Sequence, residues 1–283
     1  MIATRRTFLS ASLGLASLAG LGPLVGRASA AKVDRIGLQL YTVRQIFQSD
    51  PVGTLEKVRK AGYTQVEFGG GGFDAMDPAM LRKAMDRFGL TAPSLHVAYD
   101  LLLNDFDKAL AMIRTLGAET AVLPHLGEPF RNAPAWTEAV ANFNRFAEKL
   151  KKAGIGFAYH NHDFEFLVKP DGVSLWDRLV KDRDAALVRF ELDLYWAIKA
   201  GQDPKAMIRT LGGQIYSYHV KDMTPDGRMA AVGTGTIDFA SIFKLDSVAG
   251  VQRYYVENDQ APAPYIPDIT TSFRNLRTLL ASG

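Results

Sequence analysis

Six short apolar runs in this chain end on groups that bind metals or move protons, and that pattern constrains the fold more than any other feature. The runs are Ser94-Leu-His96, Leu123-Pro-His125, Ala158-Tyr-His160-Asn-His162, Glu191-Leu-Asp193, Ser217-Tyr-His219 and Tyr255-Val-Glu257. All five histidines of the sequence fall within this set. Each run is followed by polar or turn-forming residues, so each reads as a strand and its C-terminal end. Residues so far apart in sequence meet in a closed parallel barrel, whose strands all open their C-terminal ends onto one face.

The rest of the chain fits that architecture. Strand-like and helix-like segments alternate about every 25–35 residues, the size of one β/α unit. Strands are expected at 36–43, 65–68, 91–97, 120–124, 156–160, 188–193, 215–219 and 253–257. Asp50-Pro51 and Asp77-Pro78 each supply an N-cap followed by a proline at the first helical position. Gly89 and Gly154 supply helix stops; a long amphipathic helix is expected over 135–153 and a final one over 268–280. The fold class is α/β, a single (β/α)8 barrel with its active site at the C-terminal ends of the strands.

Residues 1–30 stand apart from this pattern. Thr4-Arg5-Arg6-Thr7-Phe8-Leu9 is a twin-arginine sequence, a weakly apolar stretch follows, and Ala28-Ser29-Ala30 offers a small-x-small cleavage pattern. Gly14, Gly20, Gly22 and Pro23 interrupt the stretch, which disfavours a retained membrane span. Residues 1–30 are therefore read as a signal peptide and 31–283 as the barrel, placing the mature protein in the periplasm or outside the cell. Cleavage removes Arg5, Arg6 and Arg27 but no acid, so the 33 Lys and Arg fall to 30 against 30 Asp and Glu. The basic charge belongs to the leader, and no nucleic-acid surface is implied. With no cysteine there is no disulfide framework and no thiolate chemistry.

Asp193, His219 and Glu257 end three successive strands, and neighbouring strands lie only about 4.8 Å apart. Two carboxylates and an imidazole suit one divalent ion, Mn²⁺, Co²⁺, Zn²⁺, Fe²⁺ or Mg²⁺. The adjacent strand brings His160 as a fourth ligand, with His162 placed to orient it. Glu257, His160, Lys221 and His96 are the candidate catalytic groups, and Glu67, His162, Trp196 and Glu165 the candidate substrate contacts. Tyr195 and Trp196 are candidates for an apolar wall against a sugar face, with ordinary core packing the commoner reading. The run Gly69–Gly72 lacks the spacing of a dinucleotide fingerprint and reads as a flexible loop; Gly233-Thr-Gly235 reads as a turn rather than a phosphate cradle.

Several motifs resemble the xylose isomerase-like barrels of the sugar phosphate isomerase/epimerase type, in an exported form. They are Gly37-Leu-Gln-Leu-Tyr-Thr-Val-Arg44, Gln65-Val-Glu67-Phe, Tyr159-His-Asn-His-Asp-Phe-Glu-Phe166, Asp193-Leu-Tyr-Trp196, Tyr218-His-Val-Lys-Asp222, Gly233-Thr-Gly235-Thr-Ile-Asp238 and Val256-Glu-Asn-Asp259. The resemblance covers nearly all of residues 31–283. It implies one divalent ion held by Glu, Asp, His and Glu from strands five to eight, the last three at Asp193, His219 and Glu257. At strand five this sequence departs from the pattern, with His160 where the family carries Glu. In the epimerases that Glu and the one on strand eight exchange a proton across the substrate, and the exchange is missing here unless Glu165 folds back.

The expected function is an exported, metal-dependent isomerase or epimerase that abstracts a proton beside the metal-polarised carbonyl of a carbohydrate. A lyase or hydratase eliminating across a keto-sugar or 3-keto-glycoside is the first alternative, and a non-catalytic periplasmic sugar-binding module the second. A phosphodiesterase of the DNA-repair type, which shares the barrel, would need a richer metal set and basic loops. The expected partner is a small carbohydrate, with no nucleic acid and no membrane after signal cleavage; homo-oligomerisation stays open.

Overall fold

Along the strands the side chains alternate between an apolar layer under the helices and a more polar barrel interior, with a register shift where the sixth and seventh strands pair. The computed structural model describes residues 34–282, so the leader read at residues 1–30 lies outside the described residues. Eight strands form the barrel: β1 (Ile36–Gln39), β2 (Gln65–Phe68), β3 (Thr91–His96), β4 (Thr120–Leu123), β5 (Gly156–His160), β6 (Val188–Asp193), β7 (Ile215–Val220) and β8 (Arg253–Val256). Each pairs in parallel with its sequence neighbours, and β8 closes on β1. Leu38, Val66, Leu95, Leu123, Tyr159, Leu192, Val220 and Val256 belong to the main apolar core that the helices cover. The alternate positions turn inward, where a separate small cluster of Val122, Ala158 and Tyr216 supplies apolar filling. The polar groups Gln39, Glu67, Ser94, His160, Glu191, Asp193, Ser217 and His219 are buried as well.

Parallel pairing fixes which of these groups are neighbours. The register sets Gln39 beside Glu67, Glu67 beside Ser94, His160 beside Glu191 and Asp193 beside His219. A slip of one residue in β6 would turn Glu191 and Asp193 into the apolar layer, an outcome that burial of two charges forbids.

Helix ends follow the local signals. Asp50 accepts a bond from Gly53 N and Asp77 one from Ala79 N, each ahead of a proline in the first turn. Such caps are worth about 0.5–2 kcal/mol apiece. The long helix spans Ala133–Lys152, two residues earlier at its start than the sequence pattern gives, because Asn132 caps it through Ala135 N. The expected first strand is too long. It stops at Gln39, whose side chain accepts from Tyr41 N and starts a 3-10 turn over Leu40–Val43. Along Gly69–Gly72 the backbone turns left-handed, with φ of +67°, +64° and +71° at Gly70, Gly71 and Gly72; a Cβ on Gly69 or Gly70 would collide with Gln39 or Tyr41, while Gly72 has open space around it. Among the described residues no helix is long and apolar enough to cross a membrane.

Candidate metal and catalytic site

At the C-terminal mouth, β5 to β8 deliver their inward-facing ends to one point. Asp193 divides its carboxylate between two tasks. Oδ1 accepts from Trp196 N at 2.9 Å and caps the helix that follows β6. Oδ2 points into the site, 3.8 Å from His160 Nε2 and 4.0 Å from His219 Nδ1. Lys221 Nζ lies 3.0 Å away, yet Oδ2 is buried without a hydrogen-bond partner. Glu257 Oε2 meets His219 Nδ1 at 2.6 Å and Lys221 Nζ at 2.8 Å. Asn161 fixes the strand ends: its amide donates to Asp193 O and its carbonyl accepts from Asp193 N. The Asn between the two histidines is therefore a clamp from β5 to β6.

The ligand atoms of Asp193, His219 and Glu257 all lie within 4.8 Å of one another. Two ligands on one divalent ion at about 2.0–2.2 Å stand roughly 3–3.5 Å apart, so modest side-chain shifts would bring these three to an ion. Five carboxylates, Glu67, Glu191, Asp193, Glu257 and Asp259, gather here, with Lys221 touching three of them. An acidic surplus around a buried oxygen that has the Lys221 ion pair but no hydrogen bond fits a divalent cation. Burial pushes His160 down to about 3, with the neighbouring His219 adding to the effect, so His160 presents a neutral ring suited to ligation.

A second layer lies beneath the first. Glu191 Oε1 sits 2.8 Å from His219 Nε2, 3.0 Å from His96 Nε2 and 3.3 Å from His160 Nδ1. Its Oε2 accepts from Ser217 Oγ at 2.7 Å. One fully buried carboxylate thus faces the inner nitrogens of both His160 and His219, leaving their outer nitrogens toward Asp193. The four residues His96, His160, Glu191 and His219 also lie close enough to form a ligand set of their own. Glu191 is the main residue that the sequence reading missed. Its signal was present: it stands two positions before Asp193 on one strand, and residues i and i+2 share a face. Asp259, in the loop after β8 and two positions beyond Glu257, is missed as well.

Electrostatics follow the contacts. Burial opposes charge on His219, but Glu191 and Glu257 outweigh it and favour the protonated ring, a proton that a divalent ion bound there would displace. Burial likewise disfavours the Lys221 ammonium, and Asp193, Glu257 and Asp259 reverse that. Glu257 stays ionised because Lys221 and His219 overcome its burial. Asp193 moves the other way, since burial exceeds the pull of Lys221 and His219.

The other sequence candidates divide between wall, floor and scaffold. His96, His160, His162, Trp196, Lys221 and Glu257 line one cavity of about 580 Å³ at this mouth. His125 lies on its rim, exposed, 3.3 Å from Arg131 Nη2. The expectation that His162 orients His160 does not fit, because the inner His160 nitrogen faces Glu191 instead. Tyr195 does not reach the cavity; it is fully buried and donates to Gly227 O. Glu67 is on the floor, bonded to Gln39, Ser94 and His219 rather than facing the opening. Glu165 is turned away: its two oxygens accept from Tyr159 Oη at 2.7 Å and His162 N at 2.8 Å. It is therefore not a substrate contact in this arrangement, and it cannot serve as the missing strand-five carboxylate.

Comparison with known proteins agrees with the barrel fold. The family profile of the xylose isomerase-like TIM barrel matches residues 55–245. A sugar phosphate isomerase/epimerase from Parabacteroides distasonis is 29% identical, superposes with a TM-score of 0.73, and aligns over 86% of this chain and 93% of its own. The inosose dehydratase of Clostridium beijerinckii is 24% identical over 156 residues, and the match spans 48% of this chain and only about half (51%) of that enzyme. The IolI protein, solved with a bound zinc atom, shares the fold at 15% identity and a TM-score of 0.68, over 88% of this chain and 98% of its own. This chain belongs to the xylose isomerase-like TIM barrel family.

Proposed function

We propose that this protein is an exported, divalent-metal-dependent enzyme that removes a proton from the carbon beside a carbohydrate carbonyl. The observation that carries the reading is the convergence of Asp193, His219 and Glu257 around a buried carboxylate oxygen with no hydrogen-bond partner. His160 is the fourth ligand. A divalent ion held there would polarise the substrate carbonyl. Glu257, ionised and on the cavity wall, is the base that takes the proton. Lys221, 2.8 Å from Glu257, donates toward the oxygen on which negative charge develops. Trp196 borders the sugar, and its indole N–H, buried without a partner, is free to donate to a hydroxyl.

Isomerisation and β-elimination share this first step. The held-back carboxyl of Glu165 favours elimination over two-base epimerisation, because β5 offers an imidazole and no second carboxylate base. In elimination the C–H electron pair forms the C=C bond as the C–O bond to the leaving group breaks, and the leaving oxygen takes a proton from His96, which lines the same cavity. The test is incubation of the Mn²⁺- or Zn²⁺-loaded protein with keto-sugars and 3-keto-glycosides in D₂O. Deuterium entering the α-carbon, or release of an aglycone, is the expected result. No exchange under any metal loading would leave the protein as a binding module. Export is tested separately, by a mature N-terminus following Ala30.

A further inference from the structure

The cavity at the mouth has two unlike walls. Loops after β5 to β8 contribute His160, Trp196, Lys221, Glu257 and Asp259, which hold its acids and bases. Segments at and after the ends of β1 to β4 contribute Tyr41, Phe73, Leu101, Met112 and Pro124, interrupted by Asp74, His96 and His125. Five large apolar side chains on this wall go beyond what proton transfer requires. The whole space, about 580 Å³, is on the scale that takes a drug-sized ligand.

The apolar wall is built rather than incidental. Tyr41 is one of few large apolar side chains left exposed among the described residues, at 38%. Arg44 holds it from one side: the guanidinium carbon lies 4.1 Å from the ring centroid, Nη1 donates to Tyr41 O, and Nη2 donates to Asp259 O. From the second loop, Gly70 at φ +67° abuts the ring, and a Cβ there would collide with it. The glycine run thus lets the loop after β2 pass close beside Tyr41, which stays at the opening. Arg44 ties this wall to Asp259 on the polar side.

We infer that this wall is a second subsite, for an apolar, ring-shaped substituent carried by the sugar. The substrate class is then an aryl glycoside in its keto form, its sugar at the polar wall and its aryl group over Tyr41, Leu101 and Met112. Ring-on-ring contact with Tyr41 and Phe73 favours an aryl group over an alkyl chain. The assignment rests on the function proposed above but is tested apart from it.

The test compares the phenyl and methyl β-glycosides of glucose, galactose and xylose as ligands of the full-length, metal-loaded protein. Phenyl glycosides should bind about tenfold or more tightly than the methyl ones, from burial of the ring alone. Tyr41→Ala and Leu101→Ser should bring the two affinities to near equality. In wild-type protein carrying ¹³C-methyl methionine, the Met112 methyl should show NOEs to the aryl protons, a readout that survives if a variant fails to fold. Equal affinities in the wild type, no binding of either series, or NOEs confined to other methionines would overturn the subsite. If the aryl preference holds while no keto-sugar exchanges its α-proton, the subsite stands and the proposed reaction falls. If exchange occurs without an aryl preference, the reaction stands and the subsite falls.

Discussion

Two buried aspartates on neighbouring loops show how the same side chain can be scaffold in one place and chemistry in another. Asp222 follows β7, and its carboxylate accepts four backbone N–H groups, from Met223, Gly233, Gly235 and Ile237, at 2.8–3.2 Å. Those bonds fold the Gly233–Asp238 loop, which is why Gly233-Thr-Gly235 is a turn with its N–H groups already used. Asp193 follows β6 and spends one oxygen on a helix cap while the other points at two imidazoles and a lysine. A fully bonded carboxylate stabilises a loop. An under-bonded one in the same setting is costly unless a cation completes it.

The largest expected effects separate these two residues. Asp193→Asn keeps the cap through its amide oxygen, so stability should fall by less than about 1 kcal/mol. Metal retention should be lost and turnover should drop by about 10³-fold or more. Asp222→Ala orphans four N–H groups and should cost at least ~3 kcal/mol or prevent folding. Denaturant unfolding together with metal analysis reads both. Similar stability losses in the two variants would erase the distinction.

The next effects concern the imidazoles. His160→Ala should lower metal affinity, whereas His160→Glu should preserve it, as titration with Mn²⁺ or Zn²⁺ will show. Full occupancy in the Ala variant would mean that another residue supplies the fourth contact. Glu191→Gln should weaken metal binding by about 10–100-fold, the usual consequence of losing the partner that fixes a ligand histidine's orientation. Two ions per chain in the wild type, with one lost in this variant, would instead make Glu191 a ligand.

The smallest effect tests the scaffold side once more. Burial pushes Glu165 up to about 8, against the bonds from Tyr159 and His162 N that favour its ionised form. The folded protein then holds a proton that the unfolded chain releases above the ordinary 4.5. This contribution to stability is full below that value and declines as pH rises toward about 8. Glu165→Gln should leave metal binding unchanged and flatten the decline between pH 4.5 and about 8. A variant that loses its metal would return Glu165 to the site.

Much of this was legible in sequence because both signals are local. Strand periodicity and the cap-plus-proline pairs at Asp50 and Asp77 need only near neighbours, and β2, β5 and β6 end where the pattern ends. Asp193, His219 and Glu257 stood out because they close their strands. Glu191 did not, because an acid one turn of the pleat deeper looks like any strand residue until the register sets it under three histidines. The roles of Glu165 and of Lys221 also depend on register. Lys221 pairs with Asp193, Glu257 and Asp259 rather than with the adjacent Asp222, whose carboxylate is occupied by backbone. Likewise Gly69 and Gly70 read as slack in sequence, while only the folded loop reveals that Gln39 and Tyr41 leave no room there for a side chain.

The most direct test of the central claim is anomalous diffraction at the metal edge from crystals of the Mn²⁺- or Zn²⁺-loaded protein. One peak about 2.0–2.3 Å from Asp193, His219 and Glu257, with His160 completing the set, is the expected result. A peak lower in the barrel, bound by His96 and Glu191 and not touching Asp193 or Glu257, would contradict the account, as would no peak at all.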